Sequence, residues 1–200
     1  MTQARLGFND DGLSMMFRVE DQYVKSVHTE YQDSVCRDSC VEFFVEPIPG
    51  KGYLNFEFNA GGTLLLYHVE DTTLREDGSF TTCRTGDKEH IQGIRIHTSL
   101  PSVVNPEITD PVTWTLAAYI PYSVFASYVG ALNPKPGDVW RGNFYKCGDS
   151  TSHPHWASWS PIGEVLGFHK PQCFGTLEFI KAVANTAAIK RIRYEHGIIK

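Results

Sequence analysis

Cys40–Val41–Glu42–Phe43–Phe44–Val45–Glu46 runs into the turn Pro47–Ile48–Pro49–Gly50–Lys51–Gly52, and then into Tyr53–Leu54–Asn55–Phe56–Glu57–Phe58–Asn59. The last run alternates strictly. Leu54, Phe56 and Phe58 fall on one side, and Tyr53, Asn55, Glu57 and Asn59 on the other. Period-two alternation is the pattern of a half-buried β-strand. The side away from the core carries amides, a carboxylate and an aromatic ring. Such a face is either simply wetted or built to hydrogen-bond a polyhydroxylated ligand.

Further strand candidates follow at short spacing on both sides. Leu13–Val19 comes after Asn9–Asp10–Asp11–Gly12, a hairpin-turn sequence. Thr63–Val69, Phe80–Arg84, Ile91–Thr98, Thr113–Ile120, Val139–Cys147, His155–Ser160 and Gly175–Ile180 complete the set. In Val139–Cys147 the pattern directs Trp140 and Phe144 inward and Arg141, Asn143 and Tyr145 outward. Many short strands with turns between them predict an all-β, antiparallel sandwich of jelly-roll type. Helix is scarce. Pro121–Phe125 opens a short one, with proline in the first turn. Residues 181–200 are Ala-rich and then basic, and read as an appended C-terminal helix or tail.

The chain has 200 residues, 42% of them hydrophobic and 12% aromatic, with a net charge of −5. That length suits one sandwich with its own core, expected over residues 5–180. A mildly acidic chain without a basic cluster does not fit a nucleic acid or an anionic membrane as partner. No apolar run is long enough for a membrane-spanning helix. The start, Met1–Thr2–Gln3–Ala4–Arg5, has no secretory h-region. The five cysteines, Cys36, Cys40, Cys83, Cys147 and Cys173, are odd in number and form no CxxC pair. Free buried thiols in a reducing compartment are therefore expected, and a cytoplasmic setting is favoured. Oligomeric state leaves no mark in the sequence.

Four constellations carry chemistry. Glu42, Asn55, Glu57 and Asn59 form a polar strand face, extended by Arg141, Asn143 and Tyr145 if the later strand lies alongside. Carboxylates accept, arginine donates and amides do both, which matches sugar hydroxyls. In His153–Pro154–His155–Trp156–Ala157–Ser158–Trp159–Ser160–Pro161, an indole can stack on the apolar face of a pyranose. Trp156 and Trp159 are three apart, so a strand turns them to opposite faces, one to the core and one outward as a platform. His153, His155, His169 and Asp149 are close in sequence but match no metal-binding motif, so the metal content stays open. Finally, Glu42 and Glu57 on neighbouring strands would suit a glycoside-active enzyme if their separation were right.

Taken together, these pieces resemble the family 9 carbohydrate-binding modules, and most closely their stand-alone, DOMON-like gut-bacterial members. The resemblance rests on Asp38–Phe44, Tyr53–Asn59, Asn143–Asp149, Ser158–Ile162 and Phe168–Gly175, which run in family order. It implies a β-sandwich that binds a glucan- or xylan-type chain end without catalysis, between two Trp rings, and that holds structural calcium. The family's sugar-contacting acid falls on Glu42. Six positions earlier, where the family has its first stacking Trp, this chain has Cys36. The expected site is therefore Glu42, Asn55, Glu57, Asn59 and Asn143 with Trp156 or Trp159 as a single platform. A haem-binding, electron-transferring DOMON-like domain is the alternative, with Met15, Met16 and the histidines as its available ligands.

Overall fold

A computed structural model describes residues 1–76, 79–181 and 192–193 of the chain. The strands are β1 (Thr2–Phe8), β2 (Gly12–Asp21), β3 (Val24–Ser26), β4 (Cys40–Glu46), β5 (Tyr53–Asn59), β6 (Leu64–Leu74) and β7 (Phe80–Thr85). They continue as β8 (Arg95–Thr98), β9 (Val104–Ile108) and β10 (Val112–Pro121). The one α-helix among the described residues, α1, spans Tyr122–Val129, and β11 (Val139–Cys147), β12 (Trp156–Ser158), β13 (Gly175–Glu178) and β14 (Ile192–Arg193) follow.

Two antiparallel sheets face each other. One runs β14-β1-β2-β10-β8 and the other β12-β11-β4-β5-β6-β7, with β13 on the same edge of β11 as β12. β3 and β9 form a separate two-stranded ribbon. The expected antiparallel β-sandwich is the observed fold. Its core is built from alternate residues of each strand: Leu13, Met15, Phe17 and Val19 of β2 and Trp114, Leu116, Ala118 and Ile120 of β10. They pack with Val41, Phe43 and Val45 of β4, Leu54, Phe56 and Phe58 of β5, and Trp140 and Phe144 of β11. Each such large side chain stabilises the fold by about 2 kcal/mol through removal of apolar area from water.

The β1–β2 hairpin closes where the turn sequence predicts it. Asn9 Oδ1 accepts the backbone N–H groups of Asp11 (3.0 Å) and Gly12 (2.9 Å). Gly12 is required there, because a Cβ would lie 2.5 Å from the Ile120 carbonyl oxygen. Pro121, with φ −60°, precedes the first turn of α1.

Three expected strands are shorter in the structure. Ile91–Thr98 pairs only over Arg95–Thr98, since residues 91–94 form a turn through Gly93 at φ +88°. His155–Ser160 pairs only over Trp156–Ser158, because the Ser160 N–H is taken by the side chain of Asn143 at 2.8 Å. Gly175–Ile180 stops at Glu178, and the next N–H, of Phe179, turns to the Asp138 carbonyl. β1, β3 and β9 were not among the expected strands, and β1 starts at Thr2, before the expected domain limit of residue 5. The expected helix or tail over 181–200 lies outside the described residues, except for Lys181 and the backbone of Ile192–Arg193, which pairs with Gln3 and Ala4.

Candidate functional site

Over β4, β5 and β11 the outer face of the large sheet is covered. Every residue of β5 is buried, on both faces. The segment 161–174 lies across the outward side chains of β4, β5 and β11 as a second layer. Phe44, Tyr53, Tyr145, Ile162 and Phe174 form their own apolar cluster there. The Tyr145 ring stacks on Phe168 at 4.2 Å, and its hydroxyl donates to the Phe168 carbonyl at 2.9 Å. Arg141 donates to the carbonyls of Pro171 (2.9 Å) and Phe174 (3.2 Å). Tyr53 Oη and His169 Nδ1 are 2.7 Å apart. Burial holds His169 near 4, well below the ordinary histidine range, so it is neutral at pH 7.

The covering layer leaves a gap at one end. A cavity of about 210 Å³ opens there, lined by Cys36, Glu42, Glu57, Cys147, Asp149, Trp156 and the 166–169 stretch. Register explains the grouping. Glu42 of β4 stands directly between Tyr145 of β11 and Glu57 of β5, and Cys40 stands between Cys147 and Asn59. Trp156 is opposite Cys147 on β12, at the far edge of β11. Its indole N–H donates to Asp149 Oδ1 at 2.7 Å, which fixes the ring beside the opening. The loop carrying Asp149 is tied down in turn by its backbone N–H to the Cys36 carbonyl, at 3.0 Å.

Two buried carboxyls on adjacent strands cannot both ionise freely. Burial first, and then the neighbouring Glu57, pushes Glu42 well above the usual carboxylate range. Burial raises Glu57 to about 7, although Asn55 donates to its Oε1 at 2.7 Å and favours the ionised form. Burial and the same acids push the Cys36 thiol up to about 12. The cavity therefore offers carboxyl groups that both donate and accept, the Asp149 carboxyl that holds the indole, the indole itself and apolar walls. Among the described residues no Lys or Arg lines it.

Of the residues proposed from sequence, the structure brings Glu42, Glu57 and Trp156 together around this cavity. It does not place Asn55, Asn59, Asn143 or Trp159 on its lining. Asn55 donates to Glu57 and accepts the Tyr67 N–H at 2.9 Å. Asn59 donates to the His28 carbonyl (2.7 Å) and to Asp38 (2.9 Å), and accepts the Thr63 N–H (2.8 Å). Asn143 clamps the start of the covering segment by donating to the Ser160 carbonyl and accepting its N–H. Trp159 packs on the core, edge-on to Phe144 at 5.9 Å, with its ring over Gly175. Three apart meant opposite faces, and the covering layer decides which face is which.

Sequence reasoning missed Asp149, Cys147, Phe168 and His169 as lining residues. The dense Asn143–Asp149 and Phe168–Gly175 pieces were visible, but no periodicity reports a layer folded over a sheet. His169 lies against Tyr53, apart from His153 and His155. His153 stacks on Tyr23 at 3.6 Å, and His155 Nε2 is 2.6 Å from Lys146 Nζ, which also meets Asp21 at 3.3 Å. These two histidines line a broader hollow of about 690 Å³ between Glu20–Tyr23 and Pro111–Thr113. Its walls are the end of β2, the start of β10 and the adjoining loops, and its aromatic face is the stacked Tyr23–His153 pair. Met15 is a core residue and Met16 is exposed on the other sheet, so neither lies near the cavity.

Residues 2–179 match the sequence profile of the family described as carbohydrate-binding family 9. A candidate carbohydrate-binding protein from Bacteroides uniformis ATCC 8492 is 33% identical, with 89% of this chain and 78% of that one aligned and a TM-score of 0.77. A family 9 carbohydrate-binding module from Caldicellulosiruptor kristjanssonii, solved with glucose, superposes with a TM-score of 0.57 at 14% identity, covering 94% of this chain and 80% of that one. The same module solved with cellotriose gives 0.56 over the same shares. None of the curated proteins compared matches.

Proposed function

The chain belongs to carbohydrate-binding family 9, and from that premise we propose that it binds the end of a neutral glucan- or xylan-type sugar chain, non-catalytically, in the cavity beside Trp156. The observation that carries this reading is the meeting of one pinned indole with Glu42, Glu57 and Asp149 around a space of about 210 Å³. That space is below the roughly 300–1,000 Å³ of pockets for larger ligands, which suits one sugar ring rather than a long oligosaccharide. Trp156 supplies the stacking face. The carboxyls accept from sugar hydroxyls, and a protonated member of the Glu42–Glu57 pair donates to one. The exposed Leu166 on the lining offers apolar contact. The modules of similar fold solved with glucose and cellotriose support this ligand class.

Cys36 lines the cavity where a paired ring would complete a clamp. With one ring instead of two, affinity is expected in the micromolar range or weaker, on the order of −8 kcal/mol at best. The arrangement does not suit glycoside hydrolysis. That chemistry places two carboxyls on opposite sides of the scissile bond. Glu42 and Glu57 are register neighbours on one sheet and both lie beneath the ligand.

A glycan array, repeated with Trp156→Ala and Trp159→Ala, tests the proposal. Binding by the parent and by the folded Trp159→Ala protein, lost in Trp156→Ala, is the expected result. No binding by the parent, or binding indifferent to Trp156→Ala, would sink it.

A further inference from the structure

Beneath the cavity the sheet carries a second cluster, which shares only Glu42 with the groups proposed to hydrogen-bond the sugar. Cys40 and Cys147 are direct cross-strand partners on β4 and β11. Glu42 follows two residues along β4, on the same face. Cys147 Sγ donates to Glu42 Oε1 at 3.1 Å, and one donor atom from each of the three residues lies within 4.8 Å of the others. All three side chains are buried. The two thiols also hydrogen-bond each other, and Cys40 Sγ donates to the Val41 carbonyl at 3.7 Å and Cys147 Sγ to the Cys36 carbonyl at 3.6 Å.

We propose that Cys40, Glu42 and Cys147 form a binding site for a borderline-soft divalent transition-metal ion such as Zn²⁺, with the fourth coordination position facing the cavity. Two sulfurs and one oxygen match that ion's preferences. Zinc takes sulfur at about 2.3 Å and carboxylate oxygen at about 2.0–2.2 Å in a tetrahedron. Donor atoms within 4.8 Å of one another already lie near the spacing that such a tetrahedron requires. Calcium and magnesium ask for six or more oxygen donors and do not fit a dithiol. All three ligands stand on central strands of the large sheet, whose backbone fixes their spacing. Glu42 and Cys147 also line the cavity, which gives an ion a way in. Binding replaces the two thiol protons and any carboxyl proton, and these leave to solvent.

The site does not depend on the sugar reading. The full chain, reduced with a phosphine, is titrated with Co²⁺ without sugar, and Zn²⁺ is then added in competition. One equivalent of Co²⁺ is expected to give thiolate-to-cobalt charge-transfer absorption that Zn²⁺ abolishes. Cys40→Ser and Cys147→Ser should each weaken binding by more than the roughly 10–100-fold typical of a lost outer-shell partner. Cys83→Ser, on β7, should leave it unchanged. If the serine variants do not fold, X-ray absorption on the parent's cobalt complex counts the ligands, and two sulfurs are expected. No charge-transfer band, a band that survives both serine variants, or fewer than two sulfur ligands would overturn the site. Loss of the metal site with sugar binding intact would leave the proposed function standing.

Discussion

At the scale of single residues, the polar side chains of the large sheet divide into those that hold the fold and those that face the cavity. Asn59 belongs to the first kind, with three hydrogen bonds to three different segments and no exposure. Asn59→Ala strands the partners of a buried amide, at a cost of about 1–3 kcal/mol. Urea denaturation should show that loss. Trp156 belongs to the second kind. Trp156→Ala should weaken sugar binding by at least ~10-fold in calorimetry, as for a central aromatic anchor. Trp159→Ala should instead lower stability by about 3 kcal/mol, because its ring fills space over Phe144 and Gly175. Glu57 gives a pH signature. Its carboxyl titrates at about 7 in the folded protein against its ordinary 4.5. Between those values the folded state holds a proton that the unfolded chain has lost, so this group makes stability fall as pH rises from 4.5 to about 7. Glu57→Gln should flatten that decline in Tm, and equal slopes in parent and variant would show that Glu57 is not the titrating group.

At the scale of elements, the covering segment 161–174 turns a polar sheet face into a pocket. It is held by Tyr145 on Phe168, by Arg141 on two carbonyls and by Tyr53 with His169. Phe168→Ala removes both a stacking partner and a piece of the cavity wall. A stability loss of about 2 kcal/mol, seen in thermal unfolding, should accompany weaker sugar binding. β4, β5 and β11 were legible residue for residue, because alternation and flanking turns both mark them. The antiparallel sandwich followed from their number and spacing. What stayed illegible was the second layer. Period two shows that Asn55 and Asn59 share a face with Glu57, but not that a loop buries the two amides and leaves the acid at a gap. β3 and β9 were missed because strands this short carry too little alternation to stand out. Trp156 and Trp159 were separable in principle but not assignable, since the choice depends on which side of β11 the covering segment crosses.

At the scale of the molecule, two sheets enclose one apolar core and the site stands outside that core, on the far side of the large sheet. The cavity is built on rigid central strands and closed by a single segment, so sugar binding should perturb only its lining. The four tryptophans report this directly, because Trp114 and Trp140 are buried, Trp159 packs on the core and Trp156 lines the cavity. The most direct measurement is a titration of protein labelled with ¹⁵N at its indoles, using cellotriose and following the four indole N–H resonances. The Trp156 resonance, whose proton is shared with Asp149, should shift saturably while those of Trp114 and Trp140 stay in place. A Trp156 resonance that stays fixed across the titration would contradict a sugar site in this cavity.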